Sequence, residues 1–77
     1  MKWEVPPHSS KGFQLIGTEK VNGEIYLLFM GSKVNRERVN LNSIESESKE
    51  IKSYVSLYLG KILSGVYDIS LTKKTLE

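Results

Sequence analysis

Two segments of strand-forming residues flank the dipeptide Asn22-Gly23. Residues 13–21 and 24–30 are rich in β-branched, aromatic and other apolar side chains. Asn and Gly are the residues that best tolerate the positive φ angles of a type I′ turn, the usual two-residue connection of a β-hairpin. The dipeptide therefore predicts a tight hairpin, and a tight hairpin fixes which side chains of the two strands share a face.

A second turn signal follows the hairpin and predicts a third strand. Gly31-Ser32 suits a type II′ turn, in which Gly occupies the first central position. Residues 34–41 then continue as a strand pattern that asparagines interrupt. The three strands are therefore expected to form an antiparallel meander.

Apolar residues recur at helical spacing over residues 51–63. Ser46 is the predicted N-cap, and Gly65 is the predicted end of the helix. The alternation of apolar and polar residues at 67–71 predicts a short C-terminal strand. The fold class is thus α+β, in the order β-β-β-α-β, with one amphipathic helix packed on one face of the sheet. Residues 54–59 also have high β-propensity, so an all-β, SH3-like small barrel is the alternative.

Seventy-seven residues predict one small domain. Pro6-Pro7 disfavours helix, so residues 1–12 are expected to form an extended N-terminal arm, followed by the domain at 13–72 and a tail at 73–77. We expect Leu76-Glu77 to be a remnant of cloning. The N-terminal residues lack the apolar segment of a signal peptide, and no apolar run approaches the ~20 residues that cross a bilayer.

Two tight turns would assign the side chains of the sheet to two faces. The first turn would pair Val21 with Glu24, Lys20 with Ile25, Thr18 with Leu27 and Ile16 with Phe29, and the second Phe29 with Val34, Leu27 with Arg36 and Ile25 with Arg38. The more apolar face is predicted to pack on the helix, because burying one Leu or Phe stabilises by ~1.5–3 kcal/mol. That face carries Phe13, Leu15, Val21, Tyr26, Leu28, Met30, Val39 and Leu41. A single β-bulge would exchange the later assignments.

The opposite face is also apolar, and one helix cannot cover both. It would be covered by the N-terminal arm with Trp3, by barrel-like closure, by a second copy of the chain or by a partner. We therefore expect a small non-enzymatic interaction module that binds a protein partner or forms a homodimer or other homo-oligomer. Its predicted interface consists of apolar anchors rimmed by arginines: Ile25, Leu27, Phe29, Val34, Arg36 and Arg38.

Basic side chains of the sheet lead to an alternative hypothesis, a nucleic-acid-binding domain. Its phosphate or base contacts would come from Lys20, Lys33, Arg36 and Arg38. The formal net charge of +2 is too small to indicate nucleic acid by itself.

Catalytic chemistry finds little support in the sequence. His8 is the only histidine, and Glu45, Glu47 and Glu50 are better explained as the solvated start of a helix. No nucleophile elbow or phosphate-binding glycine loop is present. The chain has no cysteine, which excludes disulfides and thiolate ligands and is compatible with a cytoplasmic location. We therefore predict no enzymatic activity, no cofactor or metal, no small-molecule substrate and no membrane association.

Overall fold

The computed structural model of the chain describes residues 2–9, 12–31 and 36–75. Three strands form an antiparallel sheet in the order β1-β2-β3, and a long helix packs against it. The elements in chain order are β1 (Gln14–Val21), β2 (Glu24–Met30), β3 (Glu37–Asn40), a 3₁₀ helix (Leu41–Ser46), α1 (Lys49–Ser64) and α2 (Ser70–Thr75). The predicted α+β class, with a three-stranded meander and one helix on its face, is confirmed.

The β1–β2 hairpin has the tight turn that the sequence predicts. Asn22 and Gly23 have φ angles of 51° and 83°. Both central residues therefore adopt the positive φ that a type I′ turn requires. The register follows the prediction from the turn as far as the pair Thr18–Leu27.

A β-bulge in β1 changes the register beyond that point. Gly17 pairs with Leu28, but Leu15 pairs with Phe29, so Ile16 is left without a partner on β2. The predicted pairing of Ile16 with Phe29 is therefore wrong. The extra residue brings Leu15 onto the same side of the sheet as Phe29, because side chains alternate along a strand.

The connection between β2 and β3 is longer than the predicted two-residue turn. β2 ends at Met30 and β3 begins at Glu37, later than the predicted start at residue 34. Leu27 faces Val39 instead of Arg36. The predicted register is wrong by three positions (39 − 36). A shift by an odd number of residues moves every side chain of the strand to the other side of the sheet.

The hydrophobic core lies between α1 and one side of β2. This is the side that the sequence predicted to bind a partner. Leu27 and Phe29 are 0% and 1% exposed. The assignment of Tyr26, Leu28 and Met30 to the helix is therefore wrong. The bulge and the longer connection bring the apolar sides of all three strands together, which buries more apolar surface. The core consists of Phe13, Leu15, Leu27, Phe29, Val39, Ile51, Tyr54, Val55, Ile62 and Tyr67.

Helix α1 has its predicted end but a later start. Its N-cap is Ser48 rather than Ser46, and the Ser48 hydroxyl accepts a hydrogen bond from the N–H of Ile51. Gly65 ends the helix in the left-handed region, with φ 87°. Since residues 54–59 lie within α1, the SH3-like alternative is wrong.

The predicted C-terminal strand is reduced to one parallel bridge between Thr18 and Asp68. The N–H of Thr18 donates to the carbonyl of Tyr67 (2.9 Å), and the N–H of Ile69 donates to the carbonyl of Thr18 (2.9 Å). Helix α2 follows at once and continues through residues 73–75, which were predicted to belong to a tail. This segment therefore pairs with the free edge of β1.

The N-terminal arm is held against α1 and the turn after it. The N–H of Glu4 donates to the carbonyl of Val66 (3.0 Å), and its carboxylate lies 2.6 Å from Nζ of Lys61. The hydroxyl of Tyr54 donates to the carbonyl of Pro7. These contacts attach the arm to the helical layer. The arm also reaches β1, because Nε2 of Gln14 donates to the carbonyl of Pro7 (3.2 Å) and a Cβ at Gly17 would lie 3.1 Å from Cη2 of Trp3.

Candidate interaction surface

The predicted interface residues divide into a buried group and an exposed group. Leu27 and Phe29 are enclosed in the core, and Ile25 is partly buried against it. Ile25 packs against the core and is partly exposed. Leu27 and Phe29 pack within the core, so the prediction that these two side chains anchor a partner is wrong. The cause is the altered register, which turns this side of β2 inward. Val34 lies outside the described residues.

The other side of the sheet, here called the outer face, carries the side chains that α1 does not cover. Alternation along the paired strands assigns its members. They are Gln14, Gly17, Glu19, Val21, Glu24, Tyr26, Leu28, Met30, Arg38 and Asn40. The outer face thus combines apolar side chains with both acidic and basic ones.

Apolar side chains from three segments meet on the outer face. Ile16, at the bulge, is 38% exposed, and Met30 is 44% exposed. Leu28 is partly exposed and does not belong to the core cluster. Ile16, Leu28 and Ile69 line a groove of about 340 Å³, which is here called the outer groove. Its remaining lining residues are Phe29, Arg36, Glu37 and Arg38.

Arg38 lies flat across the outer face. Its Nε is 2.7 Å from Oε1 of Glu19, and its guanidinium carbon is 4.1 Å from the centre of the Tyr26 ring. An exposed ion pair of this kind contributes at most ~1 kcal/mol to stability. Its structural effect is to hold the guanidinium over the Tyr26 ring. Among the ion pairs of the described residues, none involves Arg36, which is exposed at the outer groove.

The three described residues of the nucleic-acid hypothesis, Lys20, Arg36 and Arg38, do not form one basic patch. Lys20 pairs with Ile25 and so belongs to the core side of the sheet, whereas Arg38 belongs to the outer face. Lys33 lies outside the described residues. Arg38 is paired with Glu19. Among the described residues of this set, only Arg36 is a cation that lies at the outer groove without an ion pair.

A second cleft, of about 460 Å³, lies between the arm and α1. It contains Tyr54, whose pKa is raised to about 12, chiefly by burial and also by the neighbouring hydroxyls of Tyr67 and Tyr58. The protonated hydroxyl donates to the carbonyl of Pro7 and so holds the arm in place. His8 is exposed at this cleft, with no carboxylate or cysteine grouped around it as a metal site within the described part of the chain.

Phe29, Arg36 and Arg38 of the outer groove were among the predicted binding residues, but its apolar members Ile16, Leu28 and Ile69 were not, although one signal was present. Gly17 lies inside a strand, and an isolated glycine in a strand often marks a bulge. A bulge at that point exposes Ile16 and moves Leu15 to the side of Phe29. No comparable signal in the sequence identifies Ile69, which reaches the outer groove only through the pairing of its segment with β1.

Comparisons with models of protein families, with curated proteins and with solved structures found no match for this chain. Neither helix in the described ranges has the length and the apolar composition needed to cross a bilayer. The function must therefore be argued from the outer face itself.

Proposed function

We propose that the protein is a small non-enzymatic interaction module that binds a protein surface through its outer face. The observation that supports the proposal is the contrast between two adjacent leucines of the central strand. Leu27 is enclosed in the core, whereas Leu28 points away from it and has no place in the core cluster. Apolar surface left in water costs ~25 cal/mol per Å², so a partner that covers the outer groove gains that free energy.

The polar residues around the outer groove suit a protein partner. Arg and Tyr are enriched among the residues that dominate protein interfaces. Arg38 is held over the Tyr26 ring at 4.1 Å, so it loses little side-chain entropy when it binds. Arg36 lies at the same groove and would contribute to specificity and association rate.

The charge of the outer face gives less support to nucleic acid. Glu19 and Glu24 oppose the charges of Arg36 and Arg38 on this side of the sheet. A phosphate backbone would be repelled by the two carboxylates, whereas nucleic-acid affinity depends on an excess of cations. The proposal includes a cytoplasmic location, which rests only on the cysteine-free composition.

The experiment is affinity capture from a lysate of the source organism with three immobilised forms of the protein. They are the wild type, Ile16→Lys on the outer groove and Leu57→Lys on α1. Leu57 is 76% exposed, so its variant makes the same chemical change away from the outer face. We expect a protein to be retained by the wild type and by Leu57→Lys but not by Ile16→Lys. Circular dichroism of all three forms controls for folding.

Two results would contradict the proposal. One is equal retention of every captured protein by Ile16→Lys, which would mean that the outer groove takes no part. The other is that the material retained is nucleic acid, released by moderate salt and lost in the Arg36→Ala, Arg38→Ala double variant. That outcome would favour the alternative hypothesis.

A further inference from the structure

We infer that Asn22 is a site of spontaneous deamidation and that the hairpin of β1 and β2 must open before the site reacts. The inference concerns the turn and is independent of the function proposed for the outer face. Asn is a thermolabile residue, and its side chain is attacked by the backbone nitrogen of the next residue. Gly hinders this attack least because it has no side chain. Asn22 and Gly23 are both exposed, and a Cβ built on Gly23 would meet nothing within 4 Å.

The reaction needs only water and releases ammonia. The backbone nitrogen of Gly23 forms a bond to Cγ of Asn22 and loses its proton, while the bond from Cγ to Nδ2 breaks and ammonia leaves. The product is a cyclic imide, and water then adds to one of its two carbonyls. Opening at one carbonyl gives aspartate at position 22. Opening at the other gives isoaspartate, in which the main chain runs through Cβ and Cγ.

The type I′ turn keeps the two reacting atoms apart. Asn22 and Gly23 have φ angles of 51° and 83°. Val21 pairs directly with Glu24, so the turn contains only these two residues. The first central residue of such a turn has ψ of about +30°, which places Cβ of Asn22 and the nitrogen of Gly23 ~150° apart about the Cα–C bond. Ring closure needs these atoms nearly eclipsed, so the nitrogen cannot reach Cγ until the turn opens.

The strands behind the turn oppose its opening. β1 and β2 pair without interruption from Val21 and Glu24 at the turn to Thr18 and Leu27. Leu27 is 0% exposed, so separating the strands disturbs the core. A reaction that is slow compared with opening and closing follows the population of the open form. The rate of deamidation should therefore depend on how stably the hairpin is held.

The two products differ in their effect on the hairpin. Aspartate before Gly is favoured in a type I′ turn, so this product retains the turn. Isoaspartate lengthens the main chain inside a connection of two residues, and the register of a hairpin depends on the length of its loop. The isoaspartate product therefore prevents a hairpin that has opened from closing with the same pairing.

Peptide mapping by mass spectrometry measures the conversion of Asn22 over time. We expect conversion in the native wild type to be at least ~10-fold slower than in urea that unfolds the chain. In the same urea, Gly23→Ala should react more slowly than the wild type, because its methyl group hinders the attack. Without urea, Leu27→Ala should react faster than Leu28→Ala, since loss of a core side chain raises the population of the open hairpin.

Three results would overturn the inference. Absence of conversion at Asn22 in the unfolded wild type would remove the site itself. Equal rates in native and unfolded wild type would show that the turn gives no protection. Equal native rates in Leu27→Ala and Leu28→Ala would show that the turn reacts without separation of the strands. None of these results concerns the outer face, which the capture experiment tests separately.

Discussion

Truncating the two adjacent leucines of β2 should have very different effects on stability. Leu27 is 0% exposed and belongs to the core, whereas Leu28 is partly exposed on the outer face. Leu27→Ala removes three buried carbon atoms, whose burial stabilises the fold by roughly 2.4 kcal/mol at ~0.8 kcal/mol each. The cavity that remains brings the expected loss to ~3–5 kcal/mol. Leu28→Ala leaves no enclosed cavity, so we expect a loss of ~1 kcal/mol or less from the free energy of unfolding.

The assay is equilibrium unfolding in urea, followed by far-UV circular dichroism at low protein concentration. A domain of this size has a total stability of ~4–12 kcal/mol, so Leu27→Ala should remove a large part of it and lower the urea midpoint accordingly. The comparison is internally matched, because both variants make the same change in the same central strand and share any effect of β-propensity. If Leu28→Ala costs as much as Leu27→Ala, the side of β2 that faces α1 has been identified wrongly.

Three further predictions concern the glycines and one tyrosine. Gly60→Ala should raise the thermal midpoint, with a gain of ~0.5–1 kcal/mol, because an added Cβ lies within α1 and meets nothing within 4 Å. Gly17→Ala should lower the thermal midpoint, with a loss of ~1–3 kcal/mol in the free energy of unfolding, because its Cβ would lie 2.7 Å from Cγ2 of Ile69. An unchanged midpoint would contradict the close packing at the bulge. Burial raises the pKa of Tyr54 to about 12, so the folded protein holds this proton more tightly than the unfolded chain, in which the group titrates near 10. The stability that Tyr54 contributes is therefore complete below pH ~10 and declines by about 2 kcal/mol as the pH rises to ~12. In urea unfolding over this range, the free energy of unfolding should decline less in Tyr54→Phe than in the wild type.

The features that local chemistry controls were predictable from the sequence. Asn22 and Gly23 favour one turn because few other residues tolerate its positive φ angles, and the hairpin register near the turn follows from that. Gly65 ends α1 for the same reason. The N-cap was misplaced because Ser46 and Ser48 are chemically equivalent caps, and only the length of the preceding 3₁₀ helix selects between them.

Which side of β2 faces the solvent depended on tertiary structure. Leu27 and Leu28 are the same type of residue and lie next to each other in one strand, so no local rule indicates which of them faces the helix. Their positions are decided by the bulge before Gly17 and by the length of the connection to β3, which together place the apolar sides of β1 and β3 next to Leu27. That arrangement buries the apolar sides of the strands against α1, which is distant in the sequence. Because side chains alternate along a strand, each odd change of register reverses a whole face, and small local irregularities therefore determine which residues reach the solvent.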